Sequence, residues 1–240
     1  MENKIVINNN CWITYCDLLG FKKQILGFEQ QYGVGHLDVF VKNFYSNLLD
    51  EQKIQGEYWP DKVFTAWGSD TFLFFTHDDS KDSFGCIATT TKCFCRRVMQ
   101  KSWPLRGAIG FGQLYADKSN NIFLGSGLID AYQYAEKQNW IGVIVTPKAD
   151  SKLRDIHVEL KGWPVMFKEY DVPVKREKIK NGICTTVEET ECLFAMRIHK
   201  LSNVRRYVEQ MQRKAMDDKD YEVKHKAKYE NTLKFFKETK

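Results

Sequence analysis

At 240 residues the chain has room for one substantial domain, with or without a helical appendage. Hydrophobic residues make up 43% and aromatics 14%, enough for a packed core, while five prolines and fifteen glycines leave little for disorder. The net charge of +5 suits an anionic ligand such as a triphosphate and falls short of a dedicated nucleic-acid binder.

Cys11 to Leu19 (CWITYCDLL) is a short apolar run interrupted only by Asp17, and it reads as a buried strand. Gly20 ends it. A helical pattern follows from Phe21 to Gln31 and breaks at Gly33 and Gly35; a second helix begins near His36, with Leu37, Phe40, Val41, Phe44, Leu48 and Leu49 at helical spacing. Lys62 to Trp67 and Asp70 to Thr76 flank Gly68-Ser69, a strand, tight turn and strand with Asp70 at the tip or just past it. Helix is expected from Asp82 to Lys101 and strand from Leu105 to Leu114. A turn at 117–121 and a brief strand come next, then helix from Gly125 to Lys137 and a buried strand from Ile141 to Thr146. Residues 163–175 read as a last strand pair, confined to a sheet edge by Pro164 and Pro173. From Val187 onward the pattern is helical and increasingly charged.

This order predicts an α+β fold: a ferredoxin-like, antiparallel-rich sheet with helices on one face. Residues 1–180 form the expected catalytic domain, and 181–240 a helical extension packed on it or on a dimer mate. Acidic residues interrupt the basic ones throughout that extension, so neither nucleic acid nor a membrane is expected as its partner. No window reaches the ~20 apolar residues of a membrane span, and the first ten residues lack a signal peptide's apolar stretch, so the expected location is cytoplasmic. None of the seven cysteines shows CxxC spacing, and all read as buried, reduced thiols.

Asp17 is the first residue that asks for chemistry. A carboxylate near the end of an apolar strand is costly unless a cation meets it. The turn after it, Leu18-Leu19-Gly20-Phe21, leads straight into a helix and offers free N–H groups to a phosphate. A carboxylate beside such a cradle repels the ligand unless a divalent ion bridges them. Asp70 is the natural second ligand, and the carbonyl of Leu18 a third. The plainer readings are a helix cap for Asp17 and a turn former for Asp70.

At these residues the sequence resembles the class III nucleotidyl cyclases. Cys16-Asp17-Leu18-Leu19-Gly20-Phe21 looks like their first metal strand, and Gly68-Ser69-Asp70-Thr71 like their metal-binding hairpin. Arg106 to Gly112 (RGAIGFG) looks like their Arg-x-Gly-Ile-x-x-Gly strand, and Gly125 to Glu136 followed by Gly142 to Thr146 like their late helix and strand. Within the class, Tyr15 to Phe21 (YCDLLGF) and Ala131 to Glu136 (AYQYAE) look most like the pyrimidine cyclases of bacterial antiphage (Pycsar) systems. The resemblance implies a homodimer with its active site at the subunit interface. It also implies two Mn²⁺ or Mg²⁺ ions held by Asp17, Leu18 and Asp70, and a nucleoside triphosphate closed to its cyclic monophosphate. The product would act on a separate effector protein. The N–H groups of Leu19, Gly20 and Phe21 would hold the β and γ phosphates.

Two departures bear on substrate and rate. Purine cyclases carry a lysine six residues before the second metal aspartate, where this chain has Phe64, so another base is expected: UTP or CTP. They also carry an Asn and an Arg on the late helix, where this chain has Ile129 or Asp130, and Gln133 or Tyr134, according to register. Lys137, Lys148 and Arg106 are the available substitutes for that arginine; for Arg106 the plainer reading is a strand-end arginine paired on the surface. A purine cyclase and a catalytically silent, nucleotide-binding module are the rival functions.

Overall fold

The computed structural model describes residues 6–42, 46–180, 183–198, 204–216 and 225–239. Strand β1 (Val6–Leu18) is followed by helices α1 (Phe21–Tyr32), α2 (Leu37–Phe40) and α3 (Ser46–Glu57). Strands β2 (Val63–Gly68) and β3 (Thr71–Thr76) then lead to α4 (Lys81–Gln100) and β4 (Leu105–Asp117). These four strands lie in the order β2-β3-β1-β4 with all three contacts antiparallel, the split βαβ arrangement of a ferredoxin-like sheet. The fold is α+β, as its element order predicts.

The remaining strands widen the sheet. β5 (Ile122–Leu124) pairs with the end of β4, and β6 (Gly142–Val145) lies parallel to β4 after helix α5 (Ser126–Lys137). Helix α6 (Pro147–Asp155) starts at a Thr146 cap whose hydroxyl accepts from the Ala149 N–H, with proline in the first turn. A long hairpin of β7 (Phe167–Lys180) and β8 (Ile183–Met196) completes the sheet, with β8 against β6 and β7 at the edge. Helices α7 (Val204–Ala215) and α8 (Lys226–Glu238) follow.

Three expectations are corrected. The last strand pair is not confined to 163–175. Residues 187–196, read as helix, form most of β8, so the helical extension begins at Val204 rather than at 181. Cross-strand charge explains the misreading: Arg176 on β7 reaches Glu189 (3.3 Å) and Glu191 (3.4 Å), so a glutamate-rich segment with helix-forming composition pairs as a strand. Helices also cover both faces of the sheet. Even-numbered β1 residues meet α4: Trp12 packs on Phe84 at 5.0 Å, and Phe94 lies 5.1 Å from both Phe72 and Phe74 of β3. Odd-numbered residues meet α5, with Tyr132 at 5.4 Å from Tyr15. Thirdly, Cys192 is exposed, whereas Cys11, Cys16, Cys86 and Cys95 are buried thiols as expected.

Glycines let α5 lie close. A Cβ at Gly110 would come within 3.0 Å of the Ala131 methyl, and one at Gly112 (φ +149) within 2.7 Å of the Lys148 ammonium. The carboxyl end of α5 is thereby brought over the end of β1, where Asp17 sits. Among the described residues no helix is long and apolar enough to cross a membrane.

Candidate active site

Strand alternation decides which way Asp17 faces. It follows Ile13 and Tyr15 on the α5 side of β1, while Cys16 and Leu18 fill the core beneath. Its cross-strand partner is Arg106 of β4. The guanidinium donates to Asp17 Oδ2 through Nε (3.3 Å) and Nη2 (3.2 Å), and also to the Glu136 carboxylate and, at 2.9 Å, to the Glu136 carbonyl. Both bonds to Asp17 reach Oδ2, so Oδ1 has no donor among the described residues. The Arg106 side chain is 12% exposed, so it is a partly buried clamp rather than a surface arginine.

Asp70 is the second residue of the two-residue turn between β2 and β3, after Ser69 at φ 53. Its carbonyl accepts from the Leu18 N–H at 3.0 Å, which ties the hairpin tip to the end of β1. The two carboxyl groups sense one another. Burial pushes Asp17 up to about 6; Arg106 opposes this, and the charges of Asp70 and Glu136 add to it. Asp17 and Asp70 thus form a half-buried, mutually repelling pair that a small cation would relieve. With the Leu18 carbonyl they supply hard oxygen donors of the kind Mg²⁺ and Mn²⁺ take. The donor set fits such ions, although no cluster of three or more His, Cys, Asp and Glu side chains occurs among the described residues.

The turn beyond Asp17 is narrower as a phosphate cradle than expected. The Leu19 N–H already donates to the Pro104 carbonyl at 2.9 Å, so Leu19 contributes a wall rather than a donor. Gly20 caps α1 in the left-handed region (φ 79), and no side chain caps the helix N–H groups. Phe21 is buried with its ring 6.2 Å from Phe40. No acid occupies the first turn of α1, which carries Lys22 and Lys23 instead.

Neither lysine proposed for the missing arginine meets Asp17 within one chain. Lys137 is held by Glu191 at 2.7 Å and sits over the Tyr134 ring. Lys148 lies beside Gly112, which pairs with Cys11, six residues or roughly 20 Å along β1 from Asp17. Of the two registers for the missing helix residues, Asp130 accepts from the Thr146 hydroxyl at 2.6 Å, Tyr134 donates to Glu191, and Ile129 and Gln133 are exposed.

Two residues that the sequence did not single out join the cluster. Glu136 anchors Arg106 from the last turn of α5. Lys228 comes from α8, which is pinned one turn later, where the Thr232 hydroxyl accepts from the Ile141 N–H at 2.8 Å. Burial pulls the Lys228 ammonium down to about 8, with Lys175 and Arg106 adding to the shift and Asp17 and Glu136 opposing it. Nothing local in the charged 205–240 segment marks this lysine; only the packing of α8 does.

Superposition finds several solved cyclase structures at low similarity. The adenylyl cyclase CyaB from P. aeruginosa matches at 10% identity and TM-score 0.44, over 80% of this chain and 95% of that one. A bacterial light-regulated adenylyl cyclase matches at 9% and 0.47, over 85% and 98%. The catalytic core of a rhodopsin-guanylyl cyclase with converted specificity, in complex with ATPαS, matches at 11% and 0.47, over 78% and 97%. At these values the likeness assigns no residue a role. No protein-family model and no curated protein matches the chain.

Proposed function

We propose that the chain is a nucleotide cyclase that closes a pyrimidine nucleoside triphosphate, UTP or CTP, into its 3′,5′-cyclic monophosphate. The ribose 3′-oxygen attacks the α-phosphorus, the bond from that phosphorus to the bridging oxygen of the β-phosphate breaks, and pyrophosphate leaves with its electron pair. The single observation that carries the reading is the apposition of Asp17 and Asp70 beside an uncapped helix start.

Asp17, Asp70 and the Leu18 carbonyl would hold Mn²⁺ or Mg²⁺. When bound, the ions acidify the attacking hydroxyl and neutralise the leaving phosphates. Asp17, whose Oδ1 takes no hydrogen bond among the described residues, is the carboxylate placed to receive the 3′-hydroxyl proton. Arg106 keeps Asp17 oriented through Oδ2 while Oδ1 stays available. The N–H groups of Gly20 and Phe21 would take phosphate oxygens. Phe64, on the strand leading to the Asp70 turn, favours a base other than a purine.

A homodimer is part of this reading. Ile129 and Tyr132 leave 55% and 47% of their surface open on α5, an apolar face that a second copy would cover. The partner would then bring its own α5 to the site, and the cyclic product would signal to a separate effector in antiphage defence.

The test is incubation of the protein with each of the four nucleoside triphosphates and Mn²⁺, with products separated and identified. Cyclic UMP or cyclic CMP with equimolar pyrophosphate is expected. Cyclic AMP or GMP would replace the pyrimidine reading with a purine one. The clamp of Arg106 on Asp17 also favours a silent nucleotide-binding module, and absence of any cyclic product would establish that reading instead.

A further inference from the structure

Arg106 meets Asp17 in an uncommon way. A guanidinium facing a carboxylate ordinarily closes a fork, with one N–H on each oxygen. Here Nε and Nη2 both reach Oδ2, at 3.3 and 3.2 Å, and Oδ1 takes no hydrogen bond among the described residues. Charge-assisted bonds of this kind are usually shorter, so the guanidinium stands to one side of Asp17 rather than squarely against it. Glu136 holds it there. The same Nη2 also donates to the Glu136 carboxylate, and Nη1 donates to the Glu136 carbonyl at 2.9 Å. Side chain and backbone of one residue therefore hold both terminal guanidinium nitrogens.

Glu136 is itself fixed. The buried amide of Gln138 donates to the Gly107 carbonyl at 2.9 Å and to the Tyr134 carbonyl at 2.8 Å, and it accepts from the Trp140 indole at 2.6 Å. The neighbouring Lys137 is held by Glu191 at 2.7 Å. The last turn of α5 is thereby fastened to β4 beside Arg106 and to β8. While Glu136 shares Nη2, Arg106 stays short of the fork that would put Nε on Oδ1 and Nη2 on Oδ2. Without that carboxylate the fork is the stronger arrangement for a pair whose side chains are only 12% and 14% exposed. A closed fork would occupy Oδ1 and set a positive charge where a divalent ion must come.

We infer that Glu136 is a positioning residue for the metal site: it holds Arg106 on Oδ2 and so keeps Oδ1 of Asp17 open to a divalent cation. Glu136 acts through Arg106. Its hold on Arg106 follows from the hydrogen bonds alone; that an open Oδ1 serves a metal rests on the cyclase reading above.

The full chain carrying E136M or E136Q tests it. Methionine fills the same space with only a weak acceptor, whereas glutamine loses the charge and keeps an oxygen. Neither opens a core cavity, because the Glu136 side chain is 38% exposed. In a crystal structure of metal-free E136M, Arg106 Nε should bond Oδ1 and Nη2 should bond Oδ2. In a Mn²⁺ titration followed by electron paramagnetic resonance without nucleotide, E136M should bind the ion about tenfold more weakly than wild type, and E136Q should recover most of that loss. In turnover, E136M should raise the half-saturating Mn²⁺ concentration about tenfold, while saturating metal brings kcat back to within about twofold of wild type. An Arg106 that stays on Oδ2 in E136M, wild-type Mn²⁺ affinity in E136M, or equal weakening by methionine and glutamine overturns the positioning role and leaves the cyclase reading intact. Wild type that binds no Mn²⁺ overturns the positioning role and the metal site together. A closed fork and weakened Mn²⁺ binding in E136M, in a protein that cyclises no nucleotide, would overturn the cyclase reading alone.

Discussion

The two sides of the Leu18–Gly20 turn carry opposite charge. On one side Arg106 holds Asp17 and Glu136, with Asp70 near; on the other, Lys23, Lys101, Lys214, His225 and Lys228 line a cleft to which no aspartate or glutamate among the described residues contributes. The acidic side by itself is electrostatically unfavourable: burial and the charges of Asp70 and Glu136 push the Asp17 carboxyl up to about 6. On the basic side Lys23 lies in the first turn of α1, and no acid occupies that turn. Divalent cations would relieve the strain on the acidic side, as the proposed reaction requires. The contrast teaches that the turn separates a half that would hold cations from a half that would repel them.

The comparison breaks most sharply at the carboxylates. Asp17→Ala and Asp70→Ala should each lower turnover by about 10³-fold or more, measured as cyclic product per enzyme under saturating nucleotide and Mn²⁺. Circular dichroism should remain native, because neither side chain fills the core. Wild-type turnover in either variant would remove the acidic side from the mechanism.

Arg106→Met should cost about 3 kcal/mol of stability by chemical denaturation without added metal, since it strands Asp17 and Glu136 together at a half-buried site. Addition of Mn²⁺ at about 100 times its dissociation constant should stabilise the wild type by ~2.7 kcal/mol. Asp17→Asn and Asp70→Asn should lose most of that gain. An equal metal response in all three proteins would place the cation elsewhere.

The smallest of these effects is a pH dependence. The folded chain holds the Asp17 carboxyl at about 6 against an ordinary 3.8, so it binds that proton more tightly than the unfolded chain does. Its contribution to folding is fully present below the ordinary value and is lost as pH rises through about 6. In chelator, wild type should therefore lose on the order of 2 kcal/mol relative to Asp17→Asn between pH 4 and pH 7. A stability difference between the two that stays flat over this range would show that Asp17 is not strained by its neighbours.

Much of the fold was legible because its signals are local. The CWITYCDLL run, Gly68-Ser69 between two apolar strands and the long amphipathic stretch before Lys101 each declare their element within a dozen residues. Helix α6 is equally readable from Thr146 and Pro147, a cap and a first-turn proline. β8 was not readable in this way. Its glutamates sit in a strand where Lys175 lies opposite Glu188 and Arg176 reaches diagonally to Glu189 and Glu191, and composition does not reveal those partners. The carboxylate half of the site followed from Asp17 and Asp70 in their turns. The nearness of Lys228 did not, since it sits in a segment where charged residues occur at nearly every step.

What the chain's own order of residues determined is therefore the set of strands and helices through β6 and the placing of two aspartates at strand ends, because periodicity and turn chemistry act over a few neighbours. Tertiary packing alone decided that Arg106 clamps Asp17 against Glu136, that helices cover both faces of the sheet, and that α8 sets Lys228 beside the turn. Those outcomes depend on contacts between segments 30 to 200 residues apart, where the energy comes from burial and charge pairing rather than from any local preference.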